Sequence, residues 1–249
     1  MYKIFRFFKT FLPKKLSEKL ELKFRKYYSL LFVPKGDCVC TICNQKMQAF
    51  LDIEKGEKLC TACGSGKRHR RLFEILKEEY RPNERILDFS PNIGFSYYAK
   101  KIFGNNYLTT DYDSNSTTDY HFNITDIQFD ENQLDKIICY HVLEHIIEDI
   151  KAMEELFRIL KKGGICYIQT PYKSGEIYED FSITSPEERL KHFEQEDHVR
   201  IYSVKAQKER LEKVGFRVEV RHFTNDTNQD QIQKFGFKEE EFILIARKP

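Results

Sequence analysis

Cys40, Cys43, Cys60 and Cys63 constrain this chain more tightly than anything else in its sequence. They form two Cys-x2-Cys pairs separated by sixteen residues. Each pair places two thiolates on one turn, and two such turns close a tetrahedron around Zn2+. The roughly thirty residues around them are rich in glycine and polar side chains, too little apolar material to stand without a staple. A site closed by four protein ligands is structural and keeps no position open for catalysis. Cys38 could replace Cys40 at a less regular spacing, whereas Cys139 and Cys166 fall in apolar runs and are expected to be buried, inert thiols. Seven cysteines in 249 residues are too few for a disulfide scaffold, which points to a reducing, cytoplasmic setting.

Charge is spread unevenly. Residues 1–26 carry nine basic side chains, among them Lys3, Arg6, Lys9, Lys23, Arg25 and Lys26, against two acids, a net of +7. With +2 for the whole chain, the rest sums to −5. An acidic body argues against a nucleic-acid partner, so the run GSGKRHRR after the second cysteine pair reads as a solvated helix start. In residues 1–33, Ile4, Phe8 and Phe11 recur at helical spacing, Pro13 interrupts, and Leu16, Leu20, Phe24 and Leu31 continue the pattern. Two readings stand: helices packed on the body with a basic face in solvent, or a peripheral anchor with Phe and Leu among lipid headgroups and Lys over anionic lipid. No run approaches the roughly 20 apolar residues of a membrane span, and the early charges break any signal peptide.

From Arg85 onward, strand-like and helix-like runs alternate. RILDFS, NYLTTDY, DYHFN, DKIICYH, ICYIQTP, FRVEVRHF and EFILIARKP read as seven strands. FSYYAKKIF, SVKAQKERLEKVG and IEDIKAMEELFRILKKGG read as helices, the last closed by its glycines. RHRRLFEILKEEY reads as a further helix ahead of them, and residues 172–200 as a long irregular stretch of the kind that serves as a lid. Such alternation predicts an α/β fold, a doubly wound, mainly parallel sheet covered on both faces. The expected divisions are a basic helical segment over 1–36, a zinc ribbon over 37–68 and the α/β domain over 69–249.

In such sheets a ligand binds beyond the carboxyl ends of the strands, at a turn of small residues. Here RILDFS runs into PNIGFS, with Gly94 the one glycine and Ser90 and Asn92 where others would be expected. Asp111, at the tip of the next strand, stands where an acid accepts both ribose hydroxyls. The sequence holds no dinucleotide phosphate fingerprint, so a cofactor with adenosine but no pyrophosphate fits better.

ILDFSPNIGFS, YLTTDYD, FNITDIQFDENQLDKIICYHVLEHI and ELFRILKKGGICYIQTP resemble the successive motifs of class I S-adenosylmethionine-dependent methyltransferases. With CTAC, GSGKRHR and SPEERLKHFEQEDHVRIYS, residues 37–249 are similar to a bacterial subgroup in which a zinc ribbon precedes a Rossmann-like methyltransferase domain. Members of that subgroup are often associated with surface-glycan synthesis. The first motif departs from the usual Asp-x-Gly-x-Gly-x-Gly. The resemblance implies S-adenosylmethionine and structural Zn2+ as cofactors, and a small-molecule or glycan acceptor methylated on oxygen. It implies that Asp88 orients the methionine part, that Ser90, Asn92 and Gly94 form the turn, and that Asp111 holds the ribose. Asn123 and Ile124 would read the adenine, and Tyr140 and His141 would face the sulfonium. Removal of the acceptor proton needs a base, for which His141, His145 and His198 are the candidates, with Glu144 fixing an imidazole. From the residues alone, Arg189 and Arg200 could bind an acidic substrate or pair with neighbouring Glu187, Glu188 and Asp197.

Three rivals remain. HVLEH is also the His-x-x-Glu-His string of an inverted zinc peptidase, but that chemistry needs a helix, and the string directly follows an apolar strand. An RNA methyltransferase using the ribbon as a grip is opposed by the acidic body. A non-catalytic binding protein is the reading that the glycine-poor turn would favour.

Overall fold

The computed structural model describes residues 12–53, 56–223 and 228–249 and, for Lys14 and Lys19, the backbone only. The first part of the basic segment, with Ile4, Phe8 and Phe11, lies outside the described residues.

The first described helix, α1 (Lys14–Phe32), starts directly after Pro13, whose fixed φ suits a helix entry. It turns its polar side inward. Ser17, Glu18, Arg25 and Ser29 are buried, whereas Leu16, Leu20, Tyr27, Leu30 and Leu31 are exposed. The helix packs on the body with Lys15, Lys23 and Lys26 in solvent, but Leu16, Leu20, Leu30 and Leu31 are exposed as well. Polar contacts hold it, Ser29 Oγ with Thr61 Oγ1 at 2.8 Å and Glu18 Oε2 accepting from the Thr117 amide at 3.2 Å.

Two short hairpins follow, β1 (Cys38–Val39) with β2 (Lys46–Met47) and β3 (Leu51–Ile53) with β4 (Glu57–Leu59). Helix α2 (Lys67–Glu79) then buries Leu72, Phe73, Ile75 and Leu76. The run at its start is not solvated. Arg70 is fully buried and donates to Ser65 O at 2.7 Å, Lys58 O at 3.0 Å and Phe235 O at 2.7 Å, with its guanidinium 4.1 Å from the Phe50 ring centre.

The α/β part comprises β5 (Ile86–Phe89), α3 (Ile93–Phe103), β6 (Tyr107–Thr110), β7 (Leu134–Tyr140), α4 (Asp149–Ile159) and β8 (Leu160–Gln169). It continues with β9 (Tyr178–Glu179), α5 (Pro186–Phe193), β10 (Arg200–Ile201), α6 (Val204–Val214), β11 (Arg217–His222), α7 (Gln229–Phe235) and β12 (Phe242–Arg247). Six strands join in the order β11-β12-β8-β7-β5-β6, all parallel except β12. The expected strand at DYHFN is reduced to one parallel bridge between Thr110 and Tyr120. There Asp119 turns its carboxylate on the Thr109 amide and hydroxyl, spending side chain where a strand would use backbone.

Alternation along the strands separates two cores. Ile86, Tyr107, Ile138, Tyr167 and Ile245 face α2, α3 and the cysteine region. Leu87, Ile137, Cys139, Cys166, Ile168 and Leu244 face Met153 and Leu156 of α4 and Leu211 of α6. The order reverses between β5 and β7, which places the ligand crevice of a doubly wound sheet at the carboxyl ends of these two strands.

Two other expectations change. The helix over IEDIKAMEELFRILKKGG ends at Ile159, ahead of its glycines, because Lys248 Nζ donates to the carbonyls of Phe157 and Leu160, both at 2.8 Å, and residues 160–169 pair as β8. The stretch 172–200 is not irregular: Ser185 caps α5, Pro186 opens it, and β9 pairs with β10.

Candidate active site and cysteine cluster

The two cysteine turns are built alike. Cys40 N donates to Gln45 O and Asn44 N to Cys40 O; Cys60 N donates to Ser65 O and Gly64 N to Cys60 O, all at 2.9–3.0 Å. Asn44 and Gly64 take the left-handed conformation that each turn needs, at φ 58° and 73°. The sulfurs of Cys40 and Cys63 lie 3.7 Å apart, and those of Cys43 and Cys60 3.6 Å apart. All four ligand atoms fall within 4.8 Å of one another. A tetrahedron of ~2.3 Å zinc–sulfur bonds has edges of about 3.8 Å, so the donors and their spacing fit the ion. Cys38 stands apart, its Sγ directed at Gln48 O and Gln233 O.

This cluster touches the candidate crevice. A Cβ on Gly94 would lie 1.8 Å from the Cys63 carbonyl oxygen, and Asn92 Nδ2 donates to Gly64 O at 3.3 Å while its Oδ1 caps α3 through the Phe95 amide. The glycine expected to admit a ligand thus admits the backbone of the second cysteine turn. Asp88 also departs from expectation. It is buried in mid-sheet and accepts a 2.5 Å hydrogen bond from Tyr107. Burial pushes its carboxyl up to about 7, with the Tyr107 hydroxyl pulling the other way.

Of the remaining candidates, Ser90, Asp111 and His141 directly follow the neighbouring strands β5, β6 and β7 at the carboxyl edge. Ser90 and His141, the residues that follow β5 and β7, both take the left-handed conformation at φ 48° and 55°. Such conformations in non-glycine residues concentrate where a chain must present groups to a ligand. Ser90 N donates to Thr110 O at 2.7 Å and His141 N to Gln169 O at 2.8 Å, tying adjacent strand ends together. Asp111 is half-buried, with Oδ1 accepting from the Asp113 amide. It lines a cavity of about 840 Å3 that runs between α1, α3 and the end of β6. Asn123 is exposed, its Oδ1 held by the Thr125 amide and hydroxyl, and Ile124 is buried beside it.

Around β7 the wall is polar. Tyr140 is buried with its hydroxyl making no hydrogen bond, and burial pushes that hydroxyl well up. Burial holds the His69, His141 and His198 imidazoles below the usual range. His141 Nδ1 lies 3.2 Å from Glu144 Oε1, and the rings of His145 and His198 meet edge to face with centres 4.7 Å apart. Sequence reasoning missed Arg68 and Glu241. Arg68 comes from the start of α2, is lowered by burial, and feels Glu144, Glu241 and Tyr140. Glu241 comes from the loop before β12, is raised by burial, and accepts from Gln169 Nε2 at 2.9 Å. Arg189 donates to Ile183 O at 3.3 Å. Arg200, fully buried, pairs with Glu179 at 2.9 Å and donates to the carbonyls of Leu143, Ile146 and Ile147, clamping the turn that carries Glu144 and His145.

A family described as a methyltransferase domain matches residues 63–220. Over 85 residues the chain is 34% identical to an uncharacterized protein of Methanocaldococcus jannaschii, covering 32% of this chain and 37% of that one. Over 104 residues it is 29% identical to the demethylmenaquinone methyltransferase of Clavibacter sepedonicus, covering 35% and 42%. The matches thus span well under half the length of these curated relatives. Among solved structures, a SAM-dependent methyltransferase from Archaeoglobus fulgidus superposes with a TM-score of 0.50 at 16% identity, covering 72% of this chain and 94% of the other. Haemonchus contortus phosphoethanolamine N-methyltransferase 2, solved with phosphomonomethylethanolamine and S-adenosylhomocysteine, superposes with a TM-score of 0.51 at 17% identity, covering 72% and 53%. At these identities the shared property is the fold.

Proposed function

The chain belongs to the methyltransferase-domain family, and from that premise we propose that it transfers a methyl group from S-adenosylmethionine to a hydroxyl of a sugar or glycan intermediate. The observation that carries this reading is the pair of left-handed residues, Ser90 and His141, at the ends of adjacent strands, with the Ser90 amide tied to Thr110, the residue before Asp111. A polyhydroxylated acceptor is favoured because polar groups gather at the end of β7, where His141 meets Glu144 and Arg68 stands within their field.

The cofactor supplies an already activated methyl group, so the residues have mainly to hold and align. On this reading the Asp111 Oδ2 and the ribose hydroxyls hydrogen-bond, Ile124 offers its backbone N–H to the adenine edge, and Asn123 closes that end. Ser90 and Asn92 shape the turn, whereas Asp88 and Gly94 act behind it, one through Tyr107 and the other by seating Cys63. His141 takes the acceptor proton, with Nδ1 turned to Glu144. The four thiolates hold Zn2+ as a structural ion, which stiffens the turn that packs on Gly94.

Helix α1 supports a second element of the proposal, contact with an anionic membrane surface. Leu30 and Leu31 are each 69% exposed, and Leu30, Lys23 and Lys26 stand at the rim of the cavity that Asp111 lines, an exposed mixture of leucine and lysine that suits an interfacial helix. Among the described residues no helix is long and apolar enough to cross a membrane.

The test of the reaction is to incubate the protein with methyl-labelled S-adenosylmethionine and fractionated cell extract. Label in carbohydrate or glycolipid fractions, lost with Asp111→Ala, is expected. Label confined to RNA, or none in any fraction, overturns the proposal.

A further inference from the structure

We propose that Glu144, His145 and His198 form a second metal site, taking a first-row divalent cation on the acceptor side of the crevice. One ligand atom from each of the three lies within 4.8 Å of the others. Glu144 and His145 sit on the single 3-10 turn Leu143–His145 after β7, and His198 sits just ahead of β10. The two segments are stitched together: Val199 N donates to Glu144 O at 2.9 Å, and Arg200 holds the carbonyls of the turn.

What these side chains leave unmade points to an ion. Glu144 is 1% exposed, with Oε1 3.2 Å from His141 Nδ1, and neither carboxylate oxygen makes a geometrically sound hydrogen bond. A buried carboxylate is costly unless cations answer it, and the fixed groups facing Glu144 are Arg68 and His141. His198 is 3% exposed; its Nδ1 faces Phe193 O at 3.2 Å, which places the proton there and leaves Nε2 bare, buried and without a partner. His145 Nδ1 lies 3.2 Å from Asp197 Oδ2, the outer carboxylate that commonly orients a metal-binding imidazole and frees its other nitrogen. His145 is half-exposed, so an ion can enter past it.

Two imidazoles and one carboxylate suit zinc, iron(II), cobalt(II), nickel(II) or manganese(II) rather than calcium or magnesium. Three protein ligands leave positions open, and neighbouring acceptor hydroxyls are the ligands chemically matched to them. That last step rests on the proposed methyl transfer; the metal site itself does not. The peptidase geometry is not restored, because His141 stays outside the cluster and only the last three residues of the string are helical, in one 3-10 turn.

Cobalt(II) alone, titrated into the metal-free full chain, tests the site. We expect two equivalents to bind, one with intense sulfur charge-transfer absorption and one with only weak visible bands. Glu144→Gln and His198→Gln should each remove the second equivalent and leave the sulfur band unchanged. Asp197→Asn, at an exposed position, should weaken the second equivalent by about tenfold. A single equivalent in the unaltered chain overturns the site, as does a second equivalent that survives both ligand substitutions. If those variants fail to fold, the stoichiometry of the unaltered chain and the Asp197→Asn titration still decide. No methyl transfer is read, so failure of the enzymatic proposal and failure of this one are separately visible.

Discussion

Replacing Asp88 by asparagine should stabilise the protein at alkaline pH and do progressively less as pH falls. The carboxyl is raised from 3.8 to about 7 by burial between β6 and β7, where it meets the Tyr107 hydroxyl. Between these two values the folded state holds a proton that the unfolded state has released, so stability falls as pH rises. The full displacement amounts to about 4 kcal/mol, of which about 2 kcal/mol falls between pH 5.5 and 8. Asparagine keeps the shape and still accepts from Tyr107, without the ionisation. Urea unfolding of both proteins at pH 5.5, 6.5, 7.5 and 8 reads the difference, and comparing the two cancels the titration of the cysteines and of any bound zinc. The Asp88→Asn variant should gain about 2 kcal/mol relative to its parent across that range. Parallel stability curves would refute the reasoning, because they would mean that Asp88 ionises at the same pH folded and unfolded.

Tyr107→Phe should cost about 1.5–3 kcal/mol at pH 8, where the lost bond is to a charged group, and about 1 kcal/mol at pH 5.5; the same urea series measures both. Gly94→Ala forces a methyl onto the Cys63 carbonyl and should lower stability by about 1–3 kcal/mol, read as a shifted urea midpoint. Cys60→Ser should remove one equivalent of zinc per chain by metal analysis and leave residues 38–66 open to limited proteolysis. Leu30→Glu with Leu31→Glu should weaken co-sedimentation with anionic vesicles by at least about tenfold, and equal binding to neutral vesicles would count against the anchor.

The cysteine spacing is readable because each Cys-x2-Cys pair repeats one local turn, and Asn44 and Gly64 both supply the bend it needs. The strand alternation is readable for a similar reason: Ile86, Leu87, Ile137 and Ile138 are apolar on both faces of a buried sheet. Partners distant in sequence stay hidden. Nothing near Lys161 and Gly163 announces that Lys248 will take the last carbonyls of α4. The buried clamps Arg70 and Arg200 look like surface charge until their carbonyl partners are in place. Gly94 is readable as a close approach, but the approaching group comes from the cysteine turn. The cap Ser185-Pro186 is a legible signal of α5, easily passed over because the stretch around it lacks a long apolar pattern. Glu144 and His145 stand together in one string, whereas their neighbour His198 arrives only when β10 pairs with β9.

The enzymatic account depends on cofactor binding at Asp111, and calorimetric titration of S-adenosylmethionine into the zinc-loaded chain tests it most directly. One cofactor per chain, with affinity lost in Asp111→Ala while the fold persists, is the predicted outcome. No heat at millimolar cofactor, or an affinity unchanged by that substitution, would contradict it.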